Sequence, residues 1–387
     1  MLNLHSRLPL LTRQTTPINK LPHIHPPHYR YQPYRYHYQP TTTPPTPSYS
    51  NDQRNITTMT PQTRKTRILL LSDTHTSPPT PSQSTTSSAY RSPLPKADVL
   101  LHAGDITKVG YKREHEEMLA MLKDADAELK IVIAGNHDIT LDEEYYNKVG
   151  YLRHKRKLGY TAALDSKEGG DGQLENCAEI KALYTNPHAV AAGIRYLEEG
   201  LYTFTLSNGA RFTVYASPYT PEFCQWAFPY ERHIDRYNPQ SSVSVGQFGV
   251  QAPNPVPSYP GVDIMLTHGP PYGIYDEVVP SGSYVGCEHL LKATTRAKPR
   301  LHVFGHIHEA YGGGRMDWET KKMEGIRGDP EDMLEQRCLY VDASEGGGKG
   351  LRFGEETLFV NASVVTIRYH AVNAPWLVDL DLPVEGQ

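Results

Sequence analysis

Cysteine is scarce. The four in 387 residues, Cys177, Cys224, Cys287 and Cys338, are widely spaced and form no Cys-x-x-Cys pair. A chain this long needs no disulfide staples, so reduced thiols are expected. Long hydrophobic runs are also missing. No apolar stretch approaches the roughly 20 residues of a membrane span. The start, MLNLHSRLPLLTRQ, lacks the long apolar region of a secretory signal. Basic charge is short in the body of the chain. Residues 1–66 hold eight Lys or Arg and one acid, Asp52, whereas residues 67–387 hold 31 basic against 42 acidic side chains, a net of −11. So acidic a body offers no basic groove for a phosphate backbone and no patch for anionic lipid, so neither nucleic acid nor membrane is an expected partner. No internal repeat with a fixed period is present.

What the first 66 residues do contain is Pro, Thr, Tyr, His and Gln, as in PHIHPPHYRYQPYRYHYQP. They show no apolar periodicity and cannot bury enough surface to offset the entropy of ordering them, so a disordered tail is expected over 1–66. A cytoplasmic location is the default. The acid-free start with its Arg, Ser and Thr also fits a mitochondrial presequence, and Met59 offers an alternative start ahead of the first strand.

From residue 67 the pattern changes. RILLLSDTH (67–75), DVLLHAGD (98–105) and KIVIAGNHD (130–138) are short apolar runs ending in small and polar residues, which read as buried strands. A helix is predicted over 112–127, where Met118, Leu119 and Leu122 recur at helical spacing. Strand, helix, strand at this spacing is the βαβ unit of a layered α/β domain. Residues 141–193 are less readable. LYTFTL and ARFTVYASP flank Ser207-Asn208-Gly209 and predict a hairpin. VDIMLTHGPP (262–271), a helix over 287–298 and RLHVFGHIHEAYG (300–312) follow, then CLYVDAS, TLFVNASVV and WLVDLDLP. The Pro- and Ser-rich stretch 77–96 and the irregular stretch near 231–260 read as insertions on the surface.

Five short words carry metal-ligating side chains: Asp73-x-His75, Gly104-Asp105, Gly135-Asn136-His137-Asp138, His268-Gly269 and Gly305-His306-x-His308. Singly, each has an ordinary structural reading as turn or strand-end chemistry. Together they lie at the ends of apolar strands, the edge where ligands bind in open α/β sheets. Carboxylate, amide oxygen and imidazole suit Mn, Fe or Zn, and no thiolate is among them. Asp105 stands alone in its loop, which makes it the candidate to bridge two ions. Two cations about 3.5–4 Å apart can clamp the attacking and leaving oxygens of phosphoryl transfer. Gly104, Gly135, Gly269 and Gly305 leave room for the loops to turn close to the ions. His102 is read as a strand-end core histidine. Asn361-Ala362-Ser363 matches a glycosylation acceptor but lies in a strand and is discounted.

The series DTH, AGD, GNHD, THGPP and FGHIHEAYG resembles the calcineurin-like metallophosphoesterase superfamily. LLHAGDIT, SPYTPEF, VFGHIHEAYG and TLFVNAS are similar to its small branch of metallophosphoesterase-domain phosphodiesterases. The resemblance covers about 67–383. It implies a layered α/β/β/α sandwich, two mixed sheets flanked by helices. It also implies that Asp73, His75 and His308 hold one metal, that Asn136, His268 and His306 hold a second, and that Asp105 bridges them. His137 would hydrogen-bond the phosphate and protonate the leaving oxygen. Asp138 is expected either to orient His137 or to cap the next helix. Some members of the branch have lost one histidine of the Gly-His-x-His word; this sequence keeps both, so an active enzyme is expected.

The expected reaction is hydrolysis of a phosphodiester by a hydroxide bridging two divalent ions, with Mn favoured and a small phosphoester, such as a cyclic nucleotide, as partner. The alternatives are a phosphomonoesterase acting on a metabolite or phosphoprotein, and a metal-containing binding protein without turnover.

Overall fold

The computed structural model describes residues 62–81, 88–156, 174–239 and 252–384. The expected tail therefore lies outside the described residues except at its end. There it is corrected: the first strand starts at Thr63, not residue 67, and runs to Leu71. Thr63 to Thr66 pair antiparallel with Pro383 to Leu380. A neighbour more than 300 positions away thus orders residues that look like tail in isolation.

Side chains of a strand alternate between faces, and over Ile68–Leu71 both faces are buried. Ile68 and Leu70 enter one core, Leu69 and Leu71 another. This explains why the run is continuously apolar. The first sheet has the order Leu339–Asp342, Trp376–Pro383, Thr63–Leu71, Val99–His102, Leu129–Val132, Ile194–Tyr196. All its pairs are parallel except the one between Trp376–Pro383 and Thr63–Leu71. The second sheet has the order Lys322–Ile326, Gly312–Asp317, Glu356–Asn361, Leu301–Phe304, Ile264–Thr267, Arg211–Ser217, Gly200–Thr205. Its central strands are parallel and its outer ones antiparallel.

The inner faces of the two sheets share one core. Ile68, Leu70 and Trp376 from the first meet Val214, Leu266, Val303 and Val360 from the second. Outside the first sheet lie helices Lys112–Asp124 and Cys177–Thr185, contributing Met118, Leu122, Ile180 and Tyr184. Outside the second lies helix Glu288–Ala297, which turns Leu290, Ala293 and Ala297 toward Tyr215 and Met265 at helical spacing. The layers are helix, sheet, sheet, helix, as the resemblance implied.

Three readings need correction. The stretch 77–96 is not only surface: Tyr90 is fully buried and donates its hydroxyl to Ser77 O at 3.1 Å, although 82–87 lie outside the described residues. The stretch 231–260 likewise lends Tyr237 and Val256 to the core beneath the second sheet, with 240–251 outside the described residues. The first helix stops at Asp124, before 127, where Ala125 turns to an extended ψ of 129°. The hairpin is as expected, with Gly209 at φ 88° in its turn. Among the described residues no helix is long and apolar enough to cross a membrane.

Candidate metal centre

All five words emerge from the carboxyl ends of parallel strands. Asp73, His75, Asp105, Asn136 and His137 follow strands of the first sheet, and His268, His306 and His308 follow strands of the second. The backbone bends sharply there. Asp73, His75, Asp105 and His306 have φ of 53°, 42°, 51° and 69°, a left-handed region that costs a non-glycine residue about 1–3 kcal/mol. The strain thus falls on the ligand-type residues themselves. The neighbouring glycines serve close approach. A Cβ on Gly305 would lie 1.9 Å from Asp73 Oδ2, and one on Gly135 would lie 2.3 Å from Asp105 Oδ1.

Two groups of donors result. Asp73, His75, Asp105 and His308 offer ligand atoms all within 4.8 Å of one another, and so do Asp105, His268 and His306. Asp105 belongs to both. Its Oδ2 lies 3.4 Å from His75 Nε2 and its Oδ1 lies 3.3 Å from His268 Nε2. Asn136 Oδ1 adds to the second group, 2.9 Å from His268 Nε2.

The tautomers are fixed from behind. A carbonyl can only accept, so His268 Nδ1–H donates to Ala103 O at 2.9 Å and His75 Nδ1–H donates to Thr107 O at 3.1 Å. Their Nε2 lone pairs then face inward. His268 Nε2 meets the Asn136 amide oxygen, acceptor against acceptor, and His75 Nε2 lies 3.2 Å from His308 Nε2. Buried acceptors that face each other need a proton or cation between them. The donor set therefore fits divalent cations.

Electrostatics points the same way. Burial alone would raise both carboxyls, but His308 holds Asp73 well below the usual carboxylate range, and His268 with His137 does so for Asp105. Burial pushes His75 and His306 down to about 3, so both imidazoles are neutral and have a lone pair to offer a cation. Burial would lower His268 too, yet the Asp105 carboxylate carries it up to about 9. A proton occupies that imidazole where a cation would displace it.

His137 is half-buried beside the cluster, its ring 4.6 Å from that of His75. Its Nδ1–H donates to Lys108 O at 2.7 Å, leaving Nε2 free. This corrects the reading of Asp138, whose side chain neither orients His137 nor caps the following turn. The carboxylate is fully buried and accepts from Ile106 N, Thr107 N, the Thr107 hydroxyl and Gly135 N at 2.7–3.1 Å. Adjacent side chains diverge, so Asp138 ties the Asp105 loop to the Asn136 loop instead. Burial, with Asp105 nearby, lifts its pKa to about 7.

His102 is a core residue, fully buried with Nε2 3.0 Å from the Thr74 hydroxyl. Sequence reasoning overlooked four groups. The Ser363 hydroxyl donates to Asp73 Oδ2 at 2.7 Å. Asn361 lies beneath it and donates to Ile307 O at 2.9 Å. Tyr369 packs its ring 4.8 Å from His75 and 5.3 Å from His308. Trp226 stacks on His137. TLFVNAS ends an apolar strand like the other words, which is the signal that could have exposed Ser363.

The sheets, the strand-end donors and their spacing define a metallophosphoesterase fold and site. The family described as calcineurin-like phosphoesterase matches residues 66–310, and the chain belongs to that family. Among curated proteins it is 32% identical to metallophosphoesterase domain-containing protein 1 of Homo sapiens and of Mus musculus, over 82% of this chain and 72% of each relative. It is also 32% identical to UPF0046 protein T07D4.2 of Caenorhabditis elegans, over 57% of this chain and 48% of that one. Among solved structures, TT1561 of Thermus thermophilus matches 68% of this chain and 99% of its own at 12% identity, with a TM-score of 0.32.

Proposed function

We propose that this chain hydrolyses phosphodiesters with two divalent cations. Asp73, His75 and His308 would hold one, Asn136, His268 and His306 the other, and Asp105 both. The carrying observation is the Asp105 carboxylate, whose two oxygens face imidazoles of different groups. The mixed oxygen and nitrogen set, free of thiolate, favours manganese. When bound, two such ions supply the charge that acidifies a water and neutralises phosphoryl oxygens.

The chain supplies the rest. The buried loops hold the donors in place before substrate arrives, so little reorganisation is needed. His137, anchored through Nδ1–H, presents Nε2 to the phosphoryl group. Burial lowers its pKa, the phosphoryl charge offsets this, and Nε2 takes up a proton as the substrate binds and passes it to the departing oxygen. Among the described contacts of the seven ligand-type residues none is with a Lys or Arg side chain, and Arg153 is committed to Tyr145 and to backbone carbonyls. With no guanidinium clamp among the described residues, the site suits the singly charged diester better than the doubly charged monoester. A small diester, such as a cyclic nucleotide, is the proposed substrate.

The test is hydrolysis of bis(p-nitrophenyl) phosphate and p-nitrophenyl phosphate by the full chain, stripped of metal and then given Mn²⁺. Cleavage of the diester that returns with metal, vanishes in Asp105→Ala and is reduced in His137→Ala is the expected result. Preference for the monoester would make the protein a phosphatase. A folded, metal-loaded protein inert toward both would be a binding protein.

A further inference from the structure

The loop around Trp226 is built at a cost that its own packing does not explain. Cys224, Gln225 and Phe228 all sit in the left-handed region, at φ of 52°, 56° and 52°. Each is costly for a residue other than glycine, and persists only where surrounding contacts enforce it. The contacts are present. Arg153 Nη2 donates to Cys224 O at 2.9 Å and to Gln225 O at 2.8 Å, and Tyr145 OH donates to Gln225 O at 2.5 Å. Phe228 N donates to Asp142 Oδ2 at 2.8 Å, and Ala227 N to Asn136 O at 3.2 Å.

What this clamp delivers is one indole ring. Trp226 lies 3.8 Å from His137, centre to centre, with the planes 23° apart. The Arg153 guanidinium carbon lies 3.4 Å from the same indole centre. Two groups that close cannot share a face, so the order is guanidinium, indole, imidazole. Cation and aromatic faces attract in such a stack. The hydrogen bond to Lys108 O fixes one edge of His137, His75 meets the ring edge-on at 4.6 Å, and the indole covers one face, which sets the plane of the imidazole.

We propose that Trp226, backed by Arg153, is the positioning residue for His137: it sets the imidazole plane so that Nε2 meets the departing oxygen. This rests on His137 acting as the proton donor. Trp226 itself touches neither substrate nor metal ligand in this role.

The test uses Mn²⁺-loaded full-length protein and two diesters of unequal leaving group, bis(p-nitrophenyl) phosphate and diphenyl phosphate. Phenolate needs the proton more than nitrophenolate does. Trp226→Leu is expected to lower kcat about tenfold more for diphenyl phosphate, with KM and bound metal little changed, because misplacing a general acid forfeits part of its roughly 10²–10⁴-fold contribution. Trp226→Phe, which keeps an aromatic face, should recover most of the loss. Arg153→Met should reproduce a smaller version of it. In a His137→Gln background, Trp226→Leu should cost nothing more. Free of any activity assay, and in metal-free protein, the His137 Cε1–H proton resonance should lose its upfield ring-current shift in Trp226→Leu. Equal losses on both diesters, or losses that multiply with His137→Gln, would overturn the positioning role. A His137→Gln variant that shows no leaving-group dependence would overturn the proton-donor reading first, and the positioning role with it.

Discussion

The Ser363 hydroxyl donates to Asp73 Oδ2 at 2.7 Å from 290 positions further along the chain. Asp73 Oδ1 faces His308 Nε2 at 3.2 Å, and the His306 N–H is shared by both oxygens at 3.1 and 3.0 Å, so the hydroxyl steadies Oδ2 while Oδ1 turns toward the proposed cation. Ser363→Ala should weaken Mn²⁺ binding about 10- to 100-fold, the usual effect of removing a partner behind a ligand. A competition titration against a chelating dye reads this directly. Unchanged affinity would mean that the His306 backbone N–H alone holds Asp73.

Metal stoichiometry should distinguish the two groups of donors. Elemental analysis of His308→Ala and His306→Ala is expected to find one ion lost from each, and Asp105→Ala should retain neither. If Asp105→Ala kept a full complement, the carboxylate would not be shared.

Gly305→Ala should damage the site by crowding alone. Its new methyl would fall 1.9 Å from Asp73 Oδ2 and 2.1 Å from Ser72 Oγ, so the strand end must move. Such overpacking costs about 1–3 kcal/mol. A thermal melt should show a lowered Tm, and metal content should fall with it. A variant that melts and binds metal like the parent would show that the loop yields freely.

Stability should fall in mild acid because of histidines away from the metal centre. His115 is fully buried between the Tyr184 and Thr140 hydroxyls, and burial pushes its pKa down to about 3; the same holds for buried His302. Unfolded, each has a pKa near 6.5. Above pH 6.5 neither state carries the proton, so nothing is lost. Between 6.5 and 3 only the unfolded chain takes it up, and stability drops as pH falls. At pH 5 each such histidine should cost about 2 kcal/mol relative to pH 7. Urea melts at the two pH values, compared for the parent and His115→Gln, read this; a variant with the same pH slope as the parent would refute it.

The strand-end words were legible because each combines a buried apolar run with chemistry that turns alone do not require. The hairpin at Asn208-Gly209 was legible for the same local reason. Other features were not, because they depend on distant partners. Gly312–Asp317 begins with three glycines and carries no local strand signal, yet it is a strand of the second sheet. A Cβ on Gly313 would stand 2.8 Å from the Trp376 ring, and one on Gly314 would stand 2.6 Å from Tyr275 OH. Those glycines make room for side chains far along the chain, and no local pattern announces it. Asp138 was misread because adjacency in sequence suggested contact with His137. Trp226 and Ser363 were missed because their partners lie 89 and 290 positions away.

The proposed donors are split along the chain as well as between the sheets: Asp73, His75, Asp105 and Asn136 precede residue 137, while His268, His306 and His308 follow residue 267. A chain growing on the ribosome thus carries an open half-ring for more than a third of its synthesis, and the Asp73 anchor, Ser363, emerges last. A product truncated before His306 would lack both His306 and His308, together with the strands Glu356–Asn361 and Trp376–Pro383 that complete the two sheets. Loading of the proposed cations would in this sense be a mark of finished translation, separating whole molecules from fragments before any substrate is met.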